Sequence, residues 1–247
     1  MSFGVGNGCR RMATYVLIPG AGSDSWYWHL VVPRLEAAGH DVVAVDLPCE
    51  DDSAGLAEYV EATVAAIGDR AGRDDLVLVA QSLGGFTAPL VCERVPVRLL
   101  VLLAAMVPQA GESPGEWWTA TGQEEAQAEQ ARRDGREPGM GDIEGLFLHD
   151  VPPDVIAASA DHVFEQSGTP FEKPWPGVGG SWPDVPTRFL LCRGDRLFPA
   201  DFQRRIVRER LGLVPDEMDG GHLPALAHPE DLATRLLAYW DDLPTGS

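Results

Sequence analysis

Apolar residues fall in short unbroken runs separated by polar, helix-like stretches. Tyr15–Ile18, Val42–Val45, Leu76–Val79, Leu99–Leu103 and Arg188–Cys192 (apolar after its first residue) read as strands, with a shorter one near Val214–Met218. Between them, Trp28, Val31, Val32, Leu35 and Ala38 recur at helical spacing, with Ser23-Asp24-Ser25 as caps and Gly39 as a stop. Leu56–Ile67, Leu83–Cys92, Phe202–Leu211 and Pro229–Trp240 read as further helices. Strands that are apolar throughout are buried on both faces, so the alternation predicts an α/β fold: a mostly parallel sheet with helices on both sides.

The alternation breaks between 108 and 186. That stretch is polar, interrupted by glycine and proline, and dotted with aromatics. Glu124–Arg133 has high helix propensity but little apolar face. The pattern predicts a cap of short helices and loops inserted after the fourth strand, with a core at 12–107 and 187–247. Residues 1–11 are glycine-rich, end in Arg10-Arg11 and lack the apolar stretch of a secretory signal, so they read as a disordered tail in a cytoplasmic protein. Met1 and Met12 are both candidates for the natural start.

A length of 247 residues fits one large domain. Acidic residues outnumber basic ones 38 to 19, and a net charge of -19 disfavours nucleic acid as a partner. No apolar run approaches the roughly 20 residues that span a bilayer. Lys173 is the single lysine, which restricts any lysine-dependent mechanism to that residue. Cys9, Cys49, Cys92 and Cys192 form no CxxC pair, so reduced thiols are expected and no metal or organic cofactor is implied.

The chemistry concentrates at strand ends. Val79-Ala80-Gln81-Ser82-Leu83-Gly84-Gly85 joins a strand to a helix, the setting of a G-x-S-x-G nucleophile elbow with Ala80 in place of the first glycine. Ser82 is the candidate nucleophile; a capping serine before a Gly-Gly packing contact is the alternative. Asp195 follows the fifth strand, where open α/β sheets place their sites, and is the candidate to orient a histidine. Taken alone it would read as a turn or cap residue. His222 follows Gly220-Gly221 on a loop and is the candidate general base, preferred over His228, which directly precedes a helix. The chain order Ser82, Asp195, His222 is that of the α/β-hydrolase triad. The Leu83 and Ala21 amides are the candidate oxyanion donors.

Ile18-Pro19-Gly20-Ala21-Gly22, Trp26, Trp28, Leu35–His40, Ala80–Gly85 and Gly220-Gly221-His222 resemble plant methyl esterases, hydroxynitrile lyases and related bacterial esterases. The resemblance covers about 12–106 and 187–240. It implies an α/β-hydrolase fold and the triad and oxyanion residues already named. Pro19 stands where that group usually has histidine. Gly20 and Leu223 stand where the lyases carry threonine and lysine, so the resemblance favours an esterase. The expected function is a serine carboxylesterase acting on a small-molecule ester through an acyl-enzyme, without nucleic-acid or membrane partners. A non-hydrolytic lyase, cyclase or C–C bond reaction on this fold, and a slow-turnover binding protein, remain alternatives.

Gly20, Trp117, Trp118, Phe147, Phe164 and Phe198 are candidate pocket residues, although most cap aromatics, Trp175 and Trp182 included, are expected simply to pack. His162 has no sequence partner and reads as surface or core. The acidic pairs Asp51-Asp52, Asp74-Asp75 and Glu124-Glu125 do not face one another on a helix and read as solvated surface.

Overall fold

Alternate residues of one strand face opposite sides of a sheet, so a wholly apolar strand needs a partner layer on each. The computed structural model, which describes residues 11–244, supplies both layers. Among those residues β1 (Thr14–Ile18), β2 (Asp41–Ala44), β3 (Leu76–Gln81), β4 (Leu99–Leu103), β5 (Thr187–Cys192) and β6 (Asp216–Met218) form one parallel sheet in the order β2-β1-β3-β4-β5-β6. The helices are α1 (Val32–Ala37), α2 (Leu56–Ile67), α3 (Gly84–Val91), α4 (Pro114–Thr121), α5 (Gln123–Arg133), α6 (Pro153–Ala158), α7 (Ala200–Leu211), α8 (Pro224–Ala227) and α9 (Pro229–Asp241). Val16, Ile18, Leu78, Ala80, Leu100 and Leu102 bury against Tyr59 of α2, Phe86 of α3 and Ile206 of α7. Tyr15, Leu17, Val77, Val79, Val101 and Leu103 bury against Trp28, Leu35 of α1 and Leu236 and Trp240 of α9.

Chain direction places the site. The chain leaves β1 for β2 on one side, then returns to β3 on the other, which makes the β1/β3 boundary a topological switch point. Residues 104–186 connect β4 to β5 and carry α4, α5, α6 and a π-helical turn, Glu144–Leu148. A buried indole fastens them to the core, Trp175 Nε1 donating to Phe86 O of α3 (3.1 Å), while buried Trp117 Nε1 donates to Val107 O (3.1 Å) at the start of the connection.

The structure differs from the sequence reading in three places. The helix expected through Trp28–Ala38 is a 3-10 turn, Ser25–Trp28, followed by α1. Asp24 Oδ1 caps the Trp26 amide (3.0 Å), and Pro33, which has no amide proton, sits in the first turn of a new helix, where that proton would have no helical partner. α8, absent from the sequence reading, is too short to show a period. Arg11, placed at the end of the tail, is held: its guanidinium lies 4.1 Å over the Trp240 ring and donates to Trp240 O (3.0 Å). The rest of the expected tail, residues 1–10 with Cys9, lies outside the described residues. Cys49, Cys92 and Cys192 are free.

Asp41 opens β2 by gathering two arginines. Arg70 contacts both of its oxygens (2.6 and 3.1 Å) and Arg73 Nη1 one (3.1 Å). The Arg70 hydrogen bond outweighs the opposing effect of burial and, with the Arg70 charge and Arg73 adding to it, holds the Asp41 carboxyl below its ordinary 3.8. A depressed carboxylate stabilises the fold above its unfolded value and loses that contribution as pH falls through the folded one. Both arginines are more than a third exposed, so screening limits the gain to about 1 kcal/mol. Asp41→Asn is therefore expected to be less stable than wild type near neutrality. In pH-dependent denaturant melts the difference should shrink below pH 3.8 and vanish once Asp41 is protonated in the fold.

Candidate active site

Register delivers the side chains to one edge. Ile18 pairs with Ala80, so two residues on Gly20 lies beside Ser82. Cys192 pairs with Met218, and the pairing continues past the sheet as Arg193 N donates to Met218 O and Gly194 N to Gly220 O, both 2.9 Å. The loops carrying Asp195 and His222 thus run side by side.

Ser82 sits at a turn with φ of 51°, a left-handed conformation that L-residues avoid. The turn is held on both sides: Ser82 N donates to Leu103 O (3.3 Å), and Met106 N donates to Ser82 O (3.0 Å). Close approach also explains Gly85. A methyl there would lie 1.9 Å from Met106 O, so the helix and the chain leaving β4 meet in contact only without a side chain. The strain can be measured. Ser82→Gly removes a Cβ penalty that Ser82→Ala keeps, so the glycine variant is expected to be about 1 kcal/mol the more stable in thermal unfolding.

Ser82 Oγ lies 3.1 Å from His222 Nε2, and His222 Nδ1 lies 2.9 Å from Asp195 Oδ2. Asp195 and His222 are buried while Ser82 remains half-buried, so solvent and ligands reach the hydroxyl first. Asp195 is aimed by its surroundings. Its Oδ1 accepts the Leu197 and Phe198 amides (2.9 and 2.8 Å), and Oδ2 also receives Gln203 Nε2 (3.4 Å). A carboxylate can only accept, so it draws the imidazole proton to Nδ1 and leaves Nε2 with a lone pair facing the hydroxyl. Gln81 Nε2 donates to His222 O (3.0 Å), tying the histidine loop to the end of β3.

The Leu83 and Ala21 amides donate to no group among the described residues. The loop bearing Ala21 is held from the insertion: Gln166 Oε1 accepts the Gly22 amide (3.1 Å) while Gln166 Nε2 donates to Tyr59 Oη (2.9 Å). The ring of Phe198 meets His222 edge-on at 5.0 Å, and that of Phe147 does so at 5.5 Å. Trp117 is fully buried, its ring 5.2 Å from Phe198, and supports that residue from below. Trp118, partly buried, packs on Phe198 and Trp117. Phe164 donates its amide to Gly22 O and borders a separate 470 Å³ cavity with Asp46 and Glu50. His162 is remote from Ser82 in its contacts: its Nδ1 lies 2.8 Å from Asp24 Oδ2 and its ring stacks on Trp26 at 4.7 Å. His228 packs on Gly220. Among the described residues no group of three or more His, Cys, Asp or Glu is arranged to hold a metal ion.

Gln81, Gln166, Gln203 and Asp150, discussed below, were not singled out from the sequence. Gln81 and Gln203 carried a signal: each is an amide within an otherwise apolar buried set, on β3 and on α7. Gln166 and Asp150 lie in irregular chain, where no periodicity marks a buried polar residue.

The chain matches the model of the Alpha/beta hydrolase family over residues 15–235. It is 39% identical over 110 residues to a probable esterase, PIR7A, of Oryza sativa subsp. indica, a match covering 41% of this chain and 42% of that protein's length. It is 25% identical over 267 residues to methylesterase 3 of Arabidopsis thaliana, covering 92% of this chain and 96% of the relative. Among solved structures, a pyrethroid hydrolase from Sphingobium faniae JZ-2 superposes with a TM-score of 0.71 at 23% identity, covering 94% of this chain and 98% of the other.

Proposed function

The chain belongs to the Alpha/beta hydrolase family, and from that premise we propose that it is a serine carboxylesterase whose reaction runs through Ser82, His222 and Asp195. The observation that carries the reading is the relay of two contacts, 3.1 and 2.9 Å, from a half-exposed hydroxyl through a buried imidazole to a buried carboxylate. Similarity to proteins named esterase and methylesterase supports the same reading.

In this mechanism His222 Nε2 takes the Ser82 proton as Oγ attacks the ester carbonyl. The negative charge that develops on the carbonyl oxygen is met by the Leu83 and Ala21 amides. Collapse expels the alcohol, which receives the proton from His222, and leaves an acyl group on Ser82. Water, deprotonated by the same imidazole, then releases the acid. Asp195 keeps the imidazole in the required tautomer and stabilises its charged form. Phe147 and Phe198 give the reacting centre apolar walls, and residues 108–186 act as its cap. The substrate is a small-molecule ester, and the site of action is cytoplasmic.

Turnover of p-nitrophenyl acetate and butyrate tests the reading. An initial burst of p-nitrophenol, one per enzyme, followed by slower steady release marks the acyl-enzyme when deacylation limits the rate. Methanol should divert part of the acyl group into the methyl ester. No turnover of either ester or of a wider panel by folded protein would overturn the esterase reading.

A further inference from the structure

The glycine pair ahead of His222 is enclosed by side chains from two directions. From the insertion, Asp150 Oδ2 accepts the Gly221 amide at 2.5 Å. From the start of α9, His228 Nε2 lies 3.4 Å from that same oxygen. A methyl at Gly221 would come within 2.6 Å of both Asp150 Oδ1 and His149 Cε1, which is why this position is glycine. Opposite, Gly194 N holds Gly220 O (2.9 Å). The turn that carries the histidine is therefore gripped between the aspartate loop and the insertion.

Asp150 is an expensive residue to keep here. Its Oδ1 and the neighbouring His149 Nδ1 are buried and have no hydrogen-bond partner among the described residues. Such groups cost free energy on folding. Burial pushes the His149 imidazole below its ordinary range, against the opposing pull of Asp150. A side chain retained at a cost to stability beside a reacting group points to a role in that group's geometry.

We propose that Asp150 is a positioning residue for the reaction, its carboxylate fixing the Gly220-Gly221 turn and, one residue on, the imidazole of His222. The inference rests on the reading of His222 as general base. The rest of the segment acts in the same sense. Arg196 Nη1 donates to Gly145 O (2.8 Å), anchoring the π-helical turn beside Asp195, and Phe147 of that turn abuts the His222 ring. The seating of the insertion is thereby read out at the base. Displacing the insertion would remove the Asp150 hold on the Gly221 amide, leaving the turn held only by Gly194 and the core contacts of His222.

The test compares Asp150→Leu, of similar shape without an acceptor, with Asp150→Asn, whose carbonyl still accepts the Gly221 amide. Both are assayed on p-nitrophenyl butyrate, with thermal unfolding to establish that they fold. The leucine variant should lose about 30-fold in kcat with KM changed less than about 3-fold, since small misplacements of a catalytic group carry costs of this order. The asparagine variant should stay within about 3-fold of wild type in kcat, the neutral acceptor replacing the charged one. Equal kcat for the two variants, or a loss confined to KM, would overturn the proposal. Asp150→Ala replaces the leucine variant if that one does not fold; if neither folds while asparagine does, the role is structural and the proposal falls. His222→Ala separates the two readings. Undiminished kcat there removes the base and the Asp150 proposal together, whereas loss there with Asp150→Leu fully active overturns only the latter.

Discussion

Ser82→Ala is expected to lower kcat for p-nitrophenyl butyrate by at least about 10³-fold, with about 10⁶-fold as the upper end for loss of a serine nucleophile. The substitution removes one oxygen and little else. The backbone at φ of 51° is as tolerable for alanine as for serine, and the bonds from Ser82 N to Leu103 and from Met106 to Ser82 O involve no side chain. His222 keeps its contact with Asp195 and its carbonyl bond from Gln81. The fold and the surrounding surface therefore persist, KM should change little, and the loss should appear in kcat. The residual rate should come from water attacking a carbonyl still polarised by the Leu83 and Ala21 amides. A variant that retained a tenth of wild-type kcat would show that Oγ is not the attacking atom.

Asp195→Asn is expected to cost about 10⁴-fold in kcat while the protein remains folded, because the substitution selects the wrong imidazole tautomer. Two backbone amides, from Leu197 and Phe198, point at Asp195 Oδ1, so the asparagine carbonyl must take that side. Its amide group then faces His222 Nδ1 from the position of Oδ2, 2.9 Å away. A donor there requires Nδ1 to accept, which moves the ring proton to Nε2 and directs it at Ser82 Oγ. The imidazole can no longer remove the hydroxyl proton. Gln203 Nε2, 3.4 Å from Oδ2, is a donor that disfavours the new amide there, but the two backbone amides converging on the Oδ1 side outweigh it and oppose a compensating rotation. Steady-state kinetics and a thermal melt decide the point. A loss under about 10-fold would mean that Asp195 does not set the tautomer.

Much of the framework was legible because it depends on local periodicity. Five strands and the helices α2, α3, α7 and α9 coincide with apolar runs or helical spacing to within a few residues. The elbow was legible as well, since a strand, a sharp turn and two glycines are contiguous in sequence. Asp195 and His222 are separated by 27 positions, yet each lies just beyond a strand, and chain order linked them before coordinates did. The insertion was not legible in this way. Its helices are short, its one long helix α5 buries only Gln123, Gln127 and Ala131, and nothing in such a pattern says which side chains reach the core. Trp117 illustrates the difficulty. From sequence it was a pocket candidate equal to Phe147, but its indole is fully buried and bonded to Val107 O, whereas Phe147 reaches the His222 ring. Asp150 was invisible for the same reason. Its partner Gly221 is 71 positions away, and a hydrogen bond to a backbone amide leaves no mark on residue type or spacing.

The positions of Gln81 and Gln166 extend this account from individual groups to loops. One amide side chain ties the histidine loop to β3, and the other ties the loop bearing Ala21 to the insertion and α2. The segments that carry Ser82, His222 and Ala21 are thus separate, and their relative placement is set by side-chain hydrogen bonds, buried for Gln81 and partly buried for Gln166. Such bonds fix direction more tightly than apolar contacts do, which suits a site where proton transfer needs heavy atoms at hydrogen-bond distance.

Labelling with a fluorophosphonate, followed by peptide mapping, tests the central claim most directly, because the reagent bonds only to an oxygen made nucleophilic by its surroundings. The account expects one adduct, on Ser82, formed in step with loss of ester turnover and suppressed in His222→Ala. An adduct on another residue that abolishes turnover, or full turnover after Ser82 is completely modified, would contradict it.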